Sequence, residues 1–182
     1  MPESHDEDVR LAALTAVGDI NAYGELVRHY QSAVLGMLIQ LTRHRAVAED
    51  IAQDSFVRGF TRISQYSGTG SFRSWICAVA YREWLMYRRQ NRHDHQSLEL
   101  NDNIQDADNM DTATSLIDQM DLQQALNCLP ADDRELLVLN YVAEFSHADI
   151  ASLTELPLGT IKSRIKRSRE KLKSLLGGVH ND

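Results

Sequence analysis

The chain has 182 residues and carries 19 basic against 26 acidic side chains, a net charge of −7. That length allows one or two domains, and no apolar run approaches the roughly 20 residues needed to cross a bilayer, so no membrane insertion of its own is expected. The start, MPESHDEDV, is acidic and polar where a secretory signal would be basic and then apolar, and Cys77 and Cys128 stand far apart outside any CxxC spacing; a cytoplasmic protein with reduced thiols is expected rather than a disulfide or zinc protein.

The first helical segment runs from about Val9 to Leu41, with a break allowed near Gly18 to Asn21. Ala22, Leu26, Tyr30, Val34, Leu38 and Leu41 keep a three-to-four spacing and form a core stripe. A second helix from about Ala46 to Tyr66 puts Ala52, Phe56, Phe60 and Ile63 on one face and Glu49, Asp50, Gln53, Asp54, Arg58 and Arg62 on the others. Taken alone, that polar face reads as an ordinary solvated surface.

After the glycine-rich hinge YSGTGSF, a third helix runs from about Ser71 to Arg89. In it Phe72, Trp75, Ile76, Val79, Tyr81, Trp84 and Tyr87 alternate with Arg73, Arg82, Arg88 and Arg89, and Arg92 follows. Rings among guanidinium groups suit single-stranded DNA, because stacking contributes about 1–3 kcal/mol per base and the cations track phosphates. The alternative is plain core packing, favoured for Phe72, Ile76, Val79 and Trp84; Trp75 is the ring singled out for function.

From Asp94 to Asp121 there are eight acidic residues and no Lys or Arg. This stretch lacks a sustained apolar period and is rich in Asp, Asn and Gln, which describes a flexible acidic linker over 93–118. A coil of about 25 residues averages roughly 28 Å end to end and reaches about 85 Å if drawn out. Contacts two DNA turns apart, about 70 Å, therefore need the linker to be stretched and held by something else.

Beyond the linker, FSHADIASLTEL reads as a short helix capped by Ser146, with Asp149 three residues later and Ile150, Ala151 and Leu153 pointing inward. Thr154 to Pro157 form a turn, and Pro157 suits the start of the next helix. That helix has an apolar stripe of Ile161, Ile165, Leu172 and Leu176, while its other faces carry Lys162, Arg164, Lys166, Arg167, Arg169, Lys171 and Lys173. Two helices at this spacing make a helix-turn-helix whose second member fits the major groove of DNA. The basic run alone is equally compatible with a solvated face or a membrane-surface or calmodulin-like target segment; the capped helix and turn before it favour DNA. The expected fold is all-α: two small helical domains, 9–92 and 119–178, joined by the acidic linker, the second containing the helix-turn-helix.

The segments AEDIAQDSFVRGF, GSFRSWICAVAYREWLMYRR and LPADDRELLVLNYVAEFSHADIASLTELPLGTIKSRIKRSREKL together resemble a bacterial extracytoplasmic-function (ECF) sigma factor, a small sigma subunit of RNA polymerase. The resemblance covers nearly the whole chain, with the acidic linker where larger sigma factors have a further domain. It implies that Glu49, Asp50, Gln53 and Asp54 dock on the clamp helices of the polymerase β′ subunit. It implies that Ser67, Gly68, Thr69, Gly70 and Ser71, with Trp75, capture an unstacked base of the minus-ten element, and that Arg88, Arg89 and Arg92 follow the DNA backbone. Thr160, Lys162, Ser163, Lys166 and Arg167 would face the minus-thirty-five element. The partners implied are core RNA polymerase (β and β′ subunits), promoter DNA and an anti-sigma factor, in a stress or envelope response.

One position departs from the family pattern. Where the family commonly has Asn, this chain has Arg82, which only donates hydrogen bonds, whereas an amide both donates and accepts. Arg82 then alters minus-ten specificity or contacts phosphate. The chain contains no nucleophile-base arrangement, phosphate-binding glycine loop or HExxH, so no enzymatic activity, cofactor or metal is expected, and His93 and His95 read as polar linker residues. Two rivals stand beside the sigma reading: a helix-turn-helix regulator that binds an operator unaided, and a helical protein–protein adaptor with an incidental basic tail.

Overall fold

A computed structural model describes residues 2–91, 122 and 124–178. Among them all regular structure is helical, and the chain divides into two compact units. The expected linker, together with Arg92, His93 and His95, lies outside the described residues. None of the described helices is long and apolar enough to cross a membrane.

The N-terminal unit contains α1 (Pro2–Ala16), α2 (Ile20–Thr42), α3 (Arg45–Thr61), a 3-10 turn (Ile63–Gln65) and α4 (Phe72–Gln90). Helix α1 starts earlier than its periodicity suggests, at Pro2, a residue whose fixed φ suits a first helical position. The long first segment breaks at Gly18, whose φ of +102° lies in the left-handed region, and Asp19 then caps α2 by accepting from the amides of Asn21 and Ala22 at 2.9 and 3.2 Å. The second segment also divides: Arg62 leaves helical geometry, and the tighter turn brings Ile63 into the core.

Leu26, Val34, Met37, Leu38, Phe72 and Ile76 are fully buried, each contributing about 1.5–3 kcal/mol relative to exposure. Helix α3 approaches its neighbours through Gly59, where an added Cβ would lie 2.7 Å from both the Ile76 side chain and the Tyr23 hydroxyl. The Tyr23 hydroxyl donates to the Phe56 carbonyl, and Arg58 of α3 bridges to Glu83 of α4 at 2.7 Å. Arg58, expected on a solvated face, is thus a strut between helices.

Helix α3 turns a different face inward from the one its larger apolar residues suggest. Ala48, Ile51, Ala52, Ser55 and Gly59 are buried, whereas Phe60 is 38% exposed and Phe56 is half-buried. Small residues permit the close approach to α2 and α4, and the phenylalanines are displaced toward the edge.

The C-terminal unit contains a helical stretch at 124–127, then α5 (Ala131–Tyr141), α6 (His147–Thr154) and α7 (Leu158–Gly178). Leu136, Leu137, Leu139, Phe145, Ile150, Ile161 and Ile165 make its core. Ser146 and Asp149 form a reciprocal capping box at the start of α6: the Ser146 hydroxyl accepts from the Asp149 amide at 3.1 Å and the Asp149 carboxylate accepts from the Ser146 amide at 3.1 Å. Glu155, at φ +58°, turns the chain, and the Pro157 carbonyl accepts from the Ile161 amide at 3.1 Å, so Pro157 stands just before α7.

Candidate functional site

Glu49, Asp50, Gln53 and Asp54 are all exposed on α3, stacked as successive i, i+4 neighbours. Glu49 is engaged by Arg45 at 2.9 Å, an exposed pair one turn apart. Beside Gln53 opens a groove of about 430 Å³ lined by Ile20, Tyr23 and Val27 of α2 and by Phe56, Val57 and Phe60 of α3. Ile20 is 71% exposed and Val57 62%, so this apolar strip faces solvent. Sequence reasoning missed it. The signal was present in the spacing: 20, 23 and 27 on one helix and 53, 56, 57 and 60 on the next form a second stripe in addition to the one that fills the core.

The segment 67–71 is a short loop between the 3-10 turn and α4. Gly68 has φ +72°, and an added Cβ would lie 3.2 Å from a Val9 methyl of α1. The Ser67 and Thr69 hydroxyls are 2.7 Å apart, and the Tyr66 hydroxyl donates to the Gly70 carbonyl at 2.7 Å. Ser71 closes the loop as the N-cap of α4, its hydroxyl accepting from the Ser74 amide at 3.1 Å.

Trp75 stands one turn into α4, half-buried, with its ring centroid 5.8 Å from Tyr66 and 5.3 Å from Phe72. Phe72, Ile76, Val79 and Trp84 are buried, as packing logic expects, and Tyr81 joins them. Phe72 in turn lies 5.3 Å from Tyr30, whose hydroxyl donates to the buried Asp8 carboxylate of α1. Burial, and then the Asp8 carboxylate, push the Tyr30 hydroxyl well above the usual tyrosine range, so it remains a donor. Burial likewise raises Asp8 above the usual carboxylate range, against the opposing hydrogen bond from Tyr30.

Trp75, Arg82 and Arg89 recur every seven residues and therefore share one face of α4, with Arg82 and Arg89 exposed. Arg88 is also exposed but lies 4.5 Å over the Trp84 ring, a cation–π contact that fixes its stem within the unit. Burial raises the Cys77 thiol to about 12, which keeps it protonated and unreactive, while Cys128 is exposed and also free. Among the described residues no group of three or more His, Cys, Asp or Glu is placed to hold a metal ion.

On α7, Lys162, Ser163, Lys166 and Arg167 are exposed and Thr160 is half-buried. Ser163 donates to the Thr160 carbonyl at 2.9 Å, and Lys166 approaches Glu170 at 4.0 Å, an exposed pair. Two other cations of the helix serve its own unit: Arg164 bonds Asp133 of α5 at 2.6 Å and Lys171 donates to the Cys128 carbonyl at 3.0 Å. What remains outward is a cationic strip on the second helix of a helix-turn-helix, the geometry that docks in a major groove.

Comparison with known proteins agrees with this arrangement. The family profile for Sigma-70 region 2 matches residues 26–93, and that for Sigma-70, region 4 matches residues 119–172. The RNA polymerase sigma-H factor of Pseudomonas aeruginosa is 26% identical over 185 residues, covering 95% of each chain. The ECF RNA polymerase sigma factor SigE of Mycolicibacterium smegmatis is 30% identical, covering 96% of this chain and 70% of its own. Among solved structures, the sigma factor RpoE of Bartonella quintana, crystallised with the anti-sigma factor NepR, superposes with a TM-score of 0.68 at 25% identity, covering 87% of this chain and 98% of its own. With both regions matched in order and a relative 30% identical across 96% of this chain, the chain belongs to the ECF family of RNA polymerase sigma factors, which bind core polymerase and promoter DNA.

Proposed function

We propose that promoter reading and polymerase docking are divided among three surfaces of this sigma factor. Asp50, Gln53 and Asp54, with Glu49 at their edge and the apolar groove beside Gln53, form the docking face for the β′ clamp helices. The loop Ser67, Gly68, Thr69, Gly70 and Ser71, with Trp75, captures an unstacked minus-ten base. Arg82, Arg88 and Arg89 hold the backbone of the opened strand, with Arg92 expected to continue that path. Thr160, Lys162, Ser163, Lys166 and Arg167 face the minus-thirty-five element. The N-terminal unit thus opens DNA, the C-terminal unit anchors it, and stacking energy favours the melted state without any covalent chemistry.

The observation that carries this reading is the division of the α4 rings: Phe72, Tyr81 and Trp84 are buried, whereas Trp75 stays partly exposed beside a structured loop. Tyr87 is half-buried too, but Trp75 alone of the partly exposed rings stands next to the 67–71 loop, on the face that carries the exposed Arg82 and Arg89, which supports a stacking platform. The test compares Trp75→Ala holoenzyme with the unsubstituted one on duplex promoter and on a pre-melted template. Opening should fall by about tenfold, as expected for loss of about 1–3 kcal/mol of stacking, while duplex binding is preserved. If the pre-melted template fails to rescue the variant, base capture is the wrong role. The complex of the Bartonella relative with its anti-sigma factor supports an anti-sigma partner for this chain too; membership of the ECF family supports action in the cytoplasm within a stress or envelope response.

A further inference from the structure

We propose that Tyr66 is a positioning residue for base capture: its hydroxyl, by holding the Gly70 carbonyl, sets the 67–71 loop in its capturing shape before DNA arrives. This rests on the reading of that loop as the base-capture element. Tyr66 lies just outside the residues assigned to DNA, and it touches both sides of the site. Its hydroxyl donates to Gly70 at 2.7 Å, spanning the loop from one end to the other. Its ring meets Phe72 nearly edge-on at 5.3 Å and packs against Trp75 at 5.8 Å, so one side chain ties the loop to the platform ring.

The loop is seated from the other side by α1. Val9 packs against Gly68, where an added Cβ would be tight at 3.2 Å from a Val9 methyl, and the positive φ of Gly68 admits a glycine without strain. Helix α1 is held in turn by Asp8, which accepts from the Tyr30 hydroxyl, and Tyr30 packs on Phe72, the same ring that Tyr66 contacts. A free five-residue loop would have to be ordered on binding each base; a loop already closed at Gly70 and seated on Val9 avoids that entropic loss. A phenylalanine at position 66 retains both ring contacts and loses only the closing bond, so the hydroxyl is the separable part.

The experiment uses holoenzyme reconstituted from the full chain and core RNA polymerase, and a pool of single-stranded oligonucleotides randomised over six consecutive positions. The unsubstituted holoenzyme should enrich one base at the captured position. Tyr66→Phe should reduce that preference about fivefold, the factor equivalent to one neutral hydrogen bond, with holoenzyme formation and thermal stability nearly unchanged. Val9→Ala, which loosens the seat without touching the bond, should lower the preference in the same direction. A merely structural role would move stability and leave the preference at saturating holoenzyme intact. Enrichment by Tyr66→Phe equal to the unsubstituted protein overturns the proposal while leaving base capture standing. Absence of any preferred base with the unsubstituted holoenzyme overturns both.

Discussion

Gly59→Ala places the packing of α2, α3 and α4 under a test whose sign is decided by competing terms. The new methyl carbon would lie 2.7 Å from Ile76 Cδ1 and 2.7 Å from the Tyr23 hydroxyl oxygen, about 0.7 Å inside the 3.4 Å at which ordinary contact begins. Overpacking of this kind costs about 1–3 kcal/mol, and displacing Tyr23 from its bond to the Phe56 carbonyl adds about 1 kcal/mol. Against this, alanine is better than glycine inside a helix by about 1 kcal/mol. The net expectation is a loss of about 1–3 kcal/mol. Both tryptophans, Trp75 and Trp84, lie on α4, so urea unfolding followed by tryptophan fluorescence reports this unit alone. Shortening Ile76 to Val in the Gly59→Ala background should recover part of the loss, a coupling expected only of neighbours. If Gly59→Ala is as stable as the parent, or more so, helix propensity has won and the close approach is not a constraint.

Three further expectations concern folding and function. Arg164→Ala leaves Asp133, 18% exposed, without its 2.6 Å partner and should destabilise the C-terminal unit by about 2 kcal/mol. Arg167→Ala should alter stability by less than about 0.5 kcal/mol but weaken minus-thirty-five recognition by about 1–3 kcal/mol if it reads a base; circular-dichroism melts and holoenzyme binding to matched and scrambled promoters distinguish the two. Asp8→Asn keeps an acceptor for Tyr30 and removes a carboxyl whose pKa burial raises above its ordinary 3.8. Between that value and the raised one the folded unit binds more protons than the unfolded chain, so the Asp8 contribution falls as pH rises through the window and stays low above it. The variant should flatten that fall and gain stability at neutral pH; an unchanged slope of melting temperature against pH would exclude Asp8 as its source.

Some helix ends were legible because local chemistry specifies them, whereas the start of α1 at Pro2 and the end of α3 at Thr61 were not. Gly18 with Asp19, Ser71 and the Ser146–Asp149 pair are capping signals that need no tertiary information. The inward face of α3 was not legible in the same way. Phe56 and Phe60 outrank Ala48, Ala52, Ser55 and Gly59 in hydrophobicity, yet the small residues go inside because close helix approach selects by volume. The exposed groove beside Gln53 is the other side of that choice. Cation counts along α7 similarly could not separate Arg164, which is committed to Asp133, from the exposed Arg167, because the distinction depends on a carboxylate 31 residues away. The contacts of Tyr66, to Gly70, Phe72 and Trp75, all lie within nine residues of it, but the tight turn that brings its ring over α4 is not disclosed by any periodicity.

The most direct test of the account is reconstituted transcription: purified chain, core RNA polymerase and a library of genomic fragments, with transcript start sites mapped. The expected result is a set of discrete starts absent with core enzyme alone, sharing upstream elements at fixed spacing, and weakened about tenfold when Trp75 is replaced by Ala. A chain that does not associate with core polymerase, or that leaves its start sites unchanged, would contradict the account.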